Sequence, residues 1–373
     1  MNFDLTEDEE MLKALVERFV ADRYDIERRR GYMASDLGFS RENWRLLGEL
    51  GLIAAPFAEQ DGGMNLDATA IAAVFEALGR GFVAEPLIEN VLLAARLFAT
   101  TAPEALREQW LHRFVSGEAR VAFAHAETGA RPGRPWVETT AGACGEGVRL
   151  AGEKAYVPAG GGVDGFIVSA RADGAGPAAD GFGLYFVPAG EQGLTVRDWR
   201  MADGTVAVSL TLDNVAVPPG NILSGGVAEV KQGEVLANLA RVAEALGIME
   251  RLFAETREYL LTRQQFGVRL ASFQALQHRM VAQYAAIEQS RALLNLALIS
   301  WDTPGFARAV QGARAFIGDA SIDLGHEMIQ MHGGMGVTDE LSIGHGHKRL
   351  LVLSRWPDDP ASALESFACL ADS

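Results

Sequence analysis

The chain has 373 residues, of which 49% are hydrophobic and 22% charged, and its formal net charge is −16 at pH 7. This length exceeds one ordinary hydrophobic core, so we expect two or three domains. The negative charge argues against nucleic acid as a general partner, because a phosphate backbone requires a basic surface. It does not exclude an anionic small molecule held by a few local arginines.

The composition also bears on the compartment. No apolar run is long enough to span a bilayer, and the first ten residues lack the basic, apolar and cleavage regions of a signal peptide. The two cysteines, Cys144 and Cys369, cannot form a disulfide framework and suit a reducing compartment. We therefore expect a soluble, cytoplasmic protein without membrane insertion.

Residues 1–118 have the pattern of a helical domain. Thr6 and Glu9 have the spacing of a capping box at the start of a first helix, and Ser40 precedes a second helix. Apolar periodicity predicts further helices over residues 68–78, 88–100 and 104–115.

Residues 119–226 differ in character, because glycine is dense and the apolar runs are short. Such runs, each bounded by turn residues, are typical of strands. Val206, Val208, Leu210 and Leu212 alternate with smaller or polar residues, as in a half-buried strand. We predict a small antiparallel β domain, either a sandwich or a barrel.

Residues 227–373 return to helical patterns. A long helix is predicted over residues 234–262, and at 1.5 Å per residue it would be roughly 43 Å long. A helix of this length needs the packing of a bundle. The spacing typical of an apolar seam on this helix is shown by Val235, Leu239, Val242, Leu246, Met249 and Phe253. The seam continues in a second helix, where only Arg291 is out of character. A third helix ends at a glycine-rich stretch that follows His332. Shorter helices are predicted over residues 343–353 and from Ala361.

Two segments between these helices have the composition of ligand-binding turns. Residues 263–267 (RQQFG) offer a cation and exposed backbone N–H groups to an anionic ligand. Residues 333–336 (GGMG) terminate a helix and allow close backbone approach. Taken singly, Arg263 could be a surface arginine and the glycines a plain helix stop.

The motifs together resemble one known family. The most specific are residues 262–267 (TRQQFG), 273–278 (FQALQH) and 330–336 (QMHGGMG), with support from residues 152–158 and 212–218. Over nearly its whole length the chain resembles the flavin-dependent acyl-CoA dehydrogenases. It is similar in particular to the small subunit of the heteromeric pimeloyl-CoA and steroid side-chain types. The resemblance implies an α+β multi-domain fold: a helical domain at residues 1–118, an antiparallel β domain at 119–226 and a four-helix bundle at 227–373.

The resemblance also implies an FAD held mostly at a subunit interface. In the family, the arginine and phenylalanine of the turn reach the cofactor of a neighbouring subunit, which here implies Arg263 and Phe266. The residues implied to line the adenosine and pyrophosphate are Gln274, Gln330, Gly333 and Gly334. A guanidinium is a bidentate partner for phosphate oxygens, and glycine lets the main chain come close.

The reaction implied is removal of a proton from the α carbon of a thioester and of a hydride from its β carbon. The base must be a carboxylate in a dry pocket, and the thioester carbonyl must be hydrogen-bonded. Pro357 occupies the position of the usual catalytic glutamate, and the next residue, Asp358, is the candidate base. A solvated turn carboxylate is the alternative interpretation of Asp358. Members that place the base on the long helix have it where this chain has Ala237, followed by Asn238.

Other departures from the family leave the role of the chain open. Ala126 and Pro158 replace residues that usually offer hydroxyls to the flavin, and Tyr156 is either a flavin neighbour or strand packing. One hypothesis is an acyl-CoA dehydrogenase subunit that makes a trans-2-enoyl-CoA. A second is a non-catalytic subunit that completes the sites of a catalytic paralogue. A third is an acyl-CoA oxidase or flavin monooxygenase on the same scaffold.

Partners are implied by the same resemblance. They are an acyl-CoA from fatty acid or steroid catabolism, a paralogous subunit in an α2β2 heterotetramer or else a homo-oligomer, and an electron-transfer flavoprotein. The acyl chain itself is not readable from the sequence. A metal site is not expected, because His332, His345 and His347 lack a carboxylate or cysteine partner set.

Overall fold

A computed structural model of the chain describes residues 5–129, 136–172 and 181–370. The chain forms two compact units. The first, here called the helical unit, comprises Met1–Gly31, Asp67–Val83 and Asn238–Ser373. The second, the sheet unit, comprises Tyr32–Leu66 and Ala84–Ala237. These units do not test the boundaries after residues 118 and 226, which stay a prediction.

The α-helices of the described residues account for both predicted helical regions. In chain order they are α1 (Glu7–Arg23), α2 (Ile26–Ala34), α3 (Arg41–Glu49), α4 (Ala68–Gly81), α5 (Arg96–Thr101), α6 (Glu104–Val115), α7 (Val227–Thr262), α8 (Gln274–Ile299), α9 (Phe306–His332), α10 (Ser342–Arg355) and α11 (Pro360–Cys369). A π-helix, Leu87–Ala95, precedes α5. None of these described helices combines the length and apolar composition needed to cross a membrane.

Local signals located several helices correctly. Thr6 caps α1, since the amide of Glu9 donates to its hydroxyl at 3.3 Å and the Glu9 carboxylate accepts from the Thr6 amide at 2.7 Å. Helix α6 spans the predicted residues 104–115. Two features differ from prediction: residues 88–100 divide into the π-helix and α5, and α2 has no apolar stripe that could announce it. Helix α2 instead buries Arg29, whose guanidinium donates to the Phe82 carbonyl at 3.0 Å.

The long helix α7 begins at Val227, earlier than the predicted residue 234. Its central seam residues Leu239, Val242, Leu246 and Met249 are buried, as the spacing predicts. Helix α9 packs against α8, α10 and α11.

The anomalous Arg291 on α8 has a physical explanation. Its guanidinium lies 3.0 Å from a carboxylate oxygen of Glu76 on α4, and it also contacts Glu250 on α7. Arg80 completes the network with contacts of 3.0 Å to Glu76 and 2.8 Å to Glu250. The seam therefore tolerates a cation at this position because two carboxylates from other helices meet it.

The crossing of α4 and α7 depends on two glycines. A Cβ atom at Gly247 would lie 2.2 Å from the carbonyl oxygen of Glu76, and one at Gly79 would lie 2.2 Å from that of Glu244. Real side chains do not tolerate such distances, so glycine at both positions lets the two backbones approach closely.

The sheet unit contains the strands of the central sheet. They are β1 (Val121–Ala124), β2 (Thr140–Cys144), β3 (Gly147–Pro158), β4 (Gly165–Ala172), β5 (Gly183–Pro188), β6 (Leu194–Arg200), β7 (Val206–Val217) and β8 (Ile222–Leu223). The strand order is β6-β7-β3-β2-β4-β5-β8, with β1 also paired to β4.

Most pairs in this sheet are antiparallel, as predicted, but β1 and β2 both run parallel to β4. Val121 pairs with Gly165 and Thr140 with Arg171, so β1 and β2 follow one another along the same edge of β4. The chain leaves the sheet after β1 and returns in the same direction, which makes both pairings parallel. The predicted alternation holds in β7, where Val206, Val208, Leu210 and Leu212 are buried.

Candidate functional site

The RQQFG segment after α7 forms part of a β-hairpin with a two-residue turn. Strand β9 (Gln264–Gln265) pairs antiparallel with β10 (Val268–Arg269). Phe266 and Gly267 form the turn with φ of 55° and 81°, and two positive φ values are what a type I′ hairpin requires. Phe266 is 91% exposed, and its ring meets Phe273 edge-on at 6.3 Å. The hairpin therefore presents a phenylalanine to the surroundings at its tip.

Arg263 and Gln274 flank this hairpin. The guanidinium of Arg263 is exposed at the end of α7, and Gln274 is the exposed first residue of α8. No side chain caps the N-terminus of α8, since Phe273 precedes it. The first N–H groups of a helix carry partial positive charge, so this end of α8 suits an anion.

The glycine-rich turn after α9 has an open backbone. Gly333 has φ of 60°, and a Cβ atom at Gly333 or Gly334 would meet nothing within 4 Å. Gln330, on the last turn of α9, is exposed. Gly336 differs, because a Cβ atom there would lie 2.5 Å from the carbonyl oxygen of Ile329. The first two glycines thus leave room for a ligand, whereas Gly336 is required by the turn itself.

Two contacts bring the hairpin and the glycine-rich turn to the same end of the helical unit. The rings of Tyr259, on the last turn of α7, and His332, at the end of α9, stack with centroids 4.3 Å apart. Arg279 on α8 forms an ion pair of 2.5 Å with Glu327 on α9. Tyr259, Arg279 and Glu327 were not predicted as part of the site, and His332 was quoted only as part of the motif at residues 330–336. Nothing in their spacing shows that these side chains make contact.

Asp358, the candidate base, lies in the turn between α10 and α11. Its side chain is 14% exposed, and its Oδ1 accepts from Nε of Arg314 at 2.7 Å. The same guanidinium donates to the carbonyls of Leu353 (3.3 Å), Trp356 (2.6 Å) and Asp358 (2.5 Å). Arg314 therefore holds the whole turn, and the Asp358 carboxylate is part of a largely buried ion pair. No motif or spacing in the sequence indicates this role of Arg314.

The neighbouring Asp359 has a different role. Its carboxylate accepts from the amide of Ser362 at 2.8 Å and so caps α11. This hydrogen bond, followed by weaker contributions, lowers the pKa of Asp359. Asp359 thus caps the N-terminus of α11, whereas Asp358 forms an ion pair with Arg314.

The acidic residues on α7 are also engaged. Glu244 receives two hydrogen bonds from Arg349, at 2.6 and 3.0 Å, and Glu250 belongs to the network with Arg80 and Arg291. Ala237 and Asn238, at the family's alternative base position, are buried. Both glutamates thus serve as ion-pair partners of arginines on other helices.

In the sheet unit, the structure brings together the residues that the resemblance places near the flavin. Ala126 pairs with Tyr156 through an antiparallel bridge, and the amide of Ala155 donates to the Ala126 carbonyl at 2.9 Å. The Tyr156 hydroxyl donates to the sulfur of Met201 at 3.3 Å, and its ring lies 5.3 Å from that of Trp199. Pro158 follows two residues later at the end of β3.

The three histidines lie at separate positions. His332 stacks on Tyr259, and Nδ1 of His345 lies 3.0 Å from the Arg29 guanidinium. His347 is buried with its ring 4.7 Å from that of His326, and burial lowers the pKa of His347 to about 4. Within the part of the chain that the structure describes, no three His, Cys, Asp or Glu side chains form a cluster suited to a metal ion.

Comparisons with known proteins agree over most of the chain. The acyl-CoA dehydrogenase N-terminal domain family matches residues 6–118, and the C-terminal domain family matches residues 236–356. Acyl-CoA dehydrogenase FadE27 of Mycobacterium tuberculosis is 30% identical over 347 residues, which cover 90% of each chain. The short-chain specific acyl-CoA dehydrogenase of Clostridium acetobutylicum is 25% identical, with 92% of each chain covered.

Two similar solved structures are described as complexes or steroid enzymes. The Tcur3481-Tcur3483 steroid acyl-CoA dehydrogenase variant has a TM-score of 0.86 and 27% identity, with 98% of each chain covered. The ChsE4-ChsE5 complex from Mycobacterium tuberculosis has a TM-score of 0.85 and 26% identity, with 100% of each chain covered.

Proposed function

The chain belongs to the acyl-CoA dehydrogenase family, whose members use FAD, and from this we propose that it acts as one subunit of a heteromeric acyl-CoA dehydrogenase. The complex would convert an acyl-CoA thioester to the trans-2-enoyl-CoA. The observation that carries this proposal is the meeting of the exposed hairpin and the open glycine-rich turn at one end of the helical unit.

The described residues at this end of the helical unit fit the dinucleotide part of FAD. An exposed guanidinium at Arg263 and the uncapped N-terminus of α8 are suited to phosphate oxygens. The open backbone at Gly333 and Gly334 permits close approach, and the amides of Gln274 and Gln330 can hydrogen-bond a nucleoside. We propose these residues, with Phe266, as the FAD-binding set of this chain.

A cofactor shared across a subunit interface would also explain the exposed apolar side chains of the hairpin and the glycine-rich turn. Phe266 is 91% exposed and Val337 76% exposed, and both are large apolar residues in turns that carry the motifs. A second chain that covered them would remove their apolar surface from water. We propose a paralogous subunit as this second chain, in line with the ChsE4-ChsE5 complex among the similar structures.

When bound, FAD supplies the acceptor for the hydride that leaves the β carbon. The task left to protein side chains is to take the α proton and to exclude water. Asp358 is the candidate for the proton transfer on this chain, and the Arg314 guanidinium fixes one of its oxygens. The substrate that we propose is a bulky acyl-CoA, steroid-like or dicarboxylic, with an electron-transfer flavoprotein as the final acceptor.

The ion pair of Asp358 also favours a second candidate function. The Arg314 guanidinium binds both the carboxylate and the carbonyl of Asp358, which gives this residue a structural role in the turn. On this view Asp358 is an anchor for the turn, and the base belongs to the paralogue. The chain would then complete the FAD and substrate sites of a catalytic partner.

The first experiment is a visible absorption spectrum of the chain purified alone and with the product of a neighbouring paralogous gene. We expect bound flavin in the complex, and loss of flavin in Arg263→Met. Arg257→Met is the matched control, because Arg257 is an exposed arginine on α7, the helix that ends directly before Arg263. Colourless preparations in both cases would exclude the proposed function.

A second experiment separates the two candidate functions. Turnover of an acyl-CoA panel is measured in the assembled complex with Asp358→Asn. Loss of turnover with flavin retained supports Asp358 as the base, and unchanged turnover supports the partner role. Peroxide formation during turnover would instead indicate an oxidase.

A further inference from the structure

A buried polar cluster lies in the sheet unit, directly beside the bridge between Ala126 and Tyr156. We call it the Lys154 cluster; its members are Lys154, Glu127, Ser169, Thr139 and His125. Lys154 on β3 is 0% exposed, and the Glu127 side chain is 3% exposed. Charged residues are almost never buried to this extent without a specific arrangement of partners.

Each N–H of the Lys154 ammonium has an acceptor. Nζ lies 2.5 Å from Oε1 of Glu127, 3.1 Å from the Ser169 hydroxyl and 3.4 Å from the His125 carbonyl. Burial lowers the pKa of Lys154 to about 8, although the charge and hydrogen bond of Glu127 act in the opposite direction. The ammonium thus links the end of β1 to β3 and β4.

Glu127 joins the two ends of the segment between β1 and β2 by hydrogen bonds. Its Oε1 accepts from the Thr139 hydroxyl at 2.6 Å and from the Thr139 amide at 3.1 Å, and its Oε2 accepts from the Glu138 amide at 2.5 Å. The Glu127 carboxylate therefore connects the backbone that follows β1 to the backbone that precedes β2. Glu127 is also the residue directly after Ala126.

Lys154 stands immediately before an irregularity in β3. Lys154 pairs with Leu210 and Val157 with Val208, so β3 has one extra residue between these two pairs. Such a bulge bends the strand and redirects a side chain, and bulges are common next to active sites. Here the bulge comprises Ala155 and Tyr156, and both of these residues also contact Ala126. The ion pair therefore connects β3, at the residue before the bulge, to the residue that follows Ala126.

We propose that Lys154 and Glu127 are positioning residues for the flavin, and this rests on the proposed function. Ala126 and Pro158 have no hydroxyl to offer, so recognition by these strands depends on main-chain groups and on the Tyr156 ring. Main-chain groups recognise a ligand only where the backbone is held in place. The contacts of Lys154 and Glu127 hold the backbone on both sides of the bridge.

The test replaces both charges, in the double variant Lys154→Met/Glu127→Leu. Apolar residues of similar volume often replace a buried ion pair without loss of stability, and urea denaturation checks that the double variant folds. Arg149→Met is the matched control, because Arg149 is an exposed cation on the same strand whose contact is the Asn214 carbonyl at 3.0 Å. The readouts are the dissociation constant of FAD and the visible absorption spectrum of the bound flavin, both in the assembled complex.

We expect the double variant to bind FAD about tenfold more weakly, or about 1.4 kcal/mol, with a shifted flavin band. The control should behave as the unmodified complex does. An unchanged dissociation constant and spectrum in the folded double variant would overturn the positioning role alone. An unmodified complex without flavin would overturn the proposed function, which the positioning role requires.

A milder variant keeps the proposal open to refutation if the double variant does not fold. Ser169→Ala removes one acceptor of the Lys154 ammonium and the hydroxyl that lies 2.8 Å from Nδ1 of His125. We expect about threefold weaker FAD binding, the size of one hydrogen bond. Equal affinity in a folded Ser169→Ala complex would overturn the positioning role.

Discussion

The ring of His332 stacks on that of Tyr259, with centroids 4.3 Å apart and an angle of 24° between the planes. Tyr259 lies one turn before the hairpin that carries Phe266, and His332 directly precedes the open glycines. The His332 ring is fixed in turn, since its Nδ1 lies 2.9 Å from the Met328 carbonyl. This contact joins two ligand-binding motifs that lie about 60 residues apart in the sequence.

Replacement of Tyr259 by leucine should weaken FAD binding. Aromatic pairs contribute about 0.5–1.5 kcal/mol beyond burial, so we expect up to about tenfold weaker binding in the assembled complex. Trp301→Leu is the control, because Trp301 packs on Phe306 at 4.9 Å in the connection between α8 and α9. An equal loss of affinity in both variants would show that Tyr259 acts through general stability.

The crossing of α4 and α7 gives a prediction on stability. Gly247→Ala would place a Cβ atom 2.2 Å from the Glu76 carbonyl oxygen, so we expect a loss of about 2–3 kcal/mol in the free energy of unfolding. Gly31→Ala on α2 is the control, since a Cβ there meets nothing within 4 Å and should raise helix stability by about 1 kcal/mol. Urea denaturation measures both. A neutral Gly247→Ala variant would contradict the close crossing.

Acid should destabilise the fold through His347. The pKa of His347 is about 4 in the folded chain because of burial, against an ordinary value of 6.5. The unfolded chain binds the proton more tightly, so the contribution of His347 is complete above pH 6.5 and is lost as the pH falls towards 4. Between pH 7.5 and 5.5 we expect this residue to account for a loss of about 1 kcal/mol.

The measurement is urea denaturation across this pH range. His347→Asn should flatten the acid side of the stability profile, and His112→Asn, at an exposed position on α6, should leave it unchanged. The same slope in the two variants would show that His347 does not resist protonation in the folded chain.

The Arg314–Asp358 pair should show strong coupling. Arg314→Met leaves a carboxylate in a turn where its side chain is 14% exposed, and we expect a loss of about 3–5 kcal/mol. Adding Asp358→Asn removes the stranded charge and should restore part of that stability. A double-mutant cycle by urea denaturation measures the coupling, and additive effects would mean that the ion pair contributes nothing.

Periodic and local features of this protein were determined by the sequence alone. The capping box at Thr6, the extent of α6 and the buried face of β7 each depend on residues within a few positions of one another. Helix and strand periodicities express which face is apolar, and that property needs no distant partner. The α–β–α order followed from such segments, whereas the family and its cofactor followed from the resemblance carried by residues 262–267, 273–278 and 330–336.

The tertiary structure decided every feature that depends on residues far apart in the chain. The sequence does not show that Arg291 pairs with Glu76 and Glu250. It also does not show that Asp358 pairs with Arg314. The parallel pairing of β1 with β4 and the stacking of Tyr259 on His332 likewise had no local signal. An ion pair or a ring contact is a property of two side chains in space, and only the packing of helices and strands brings those side chains together.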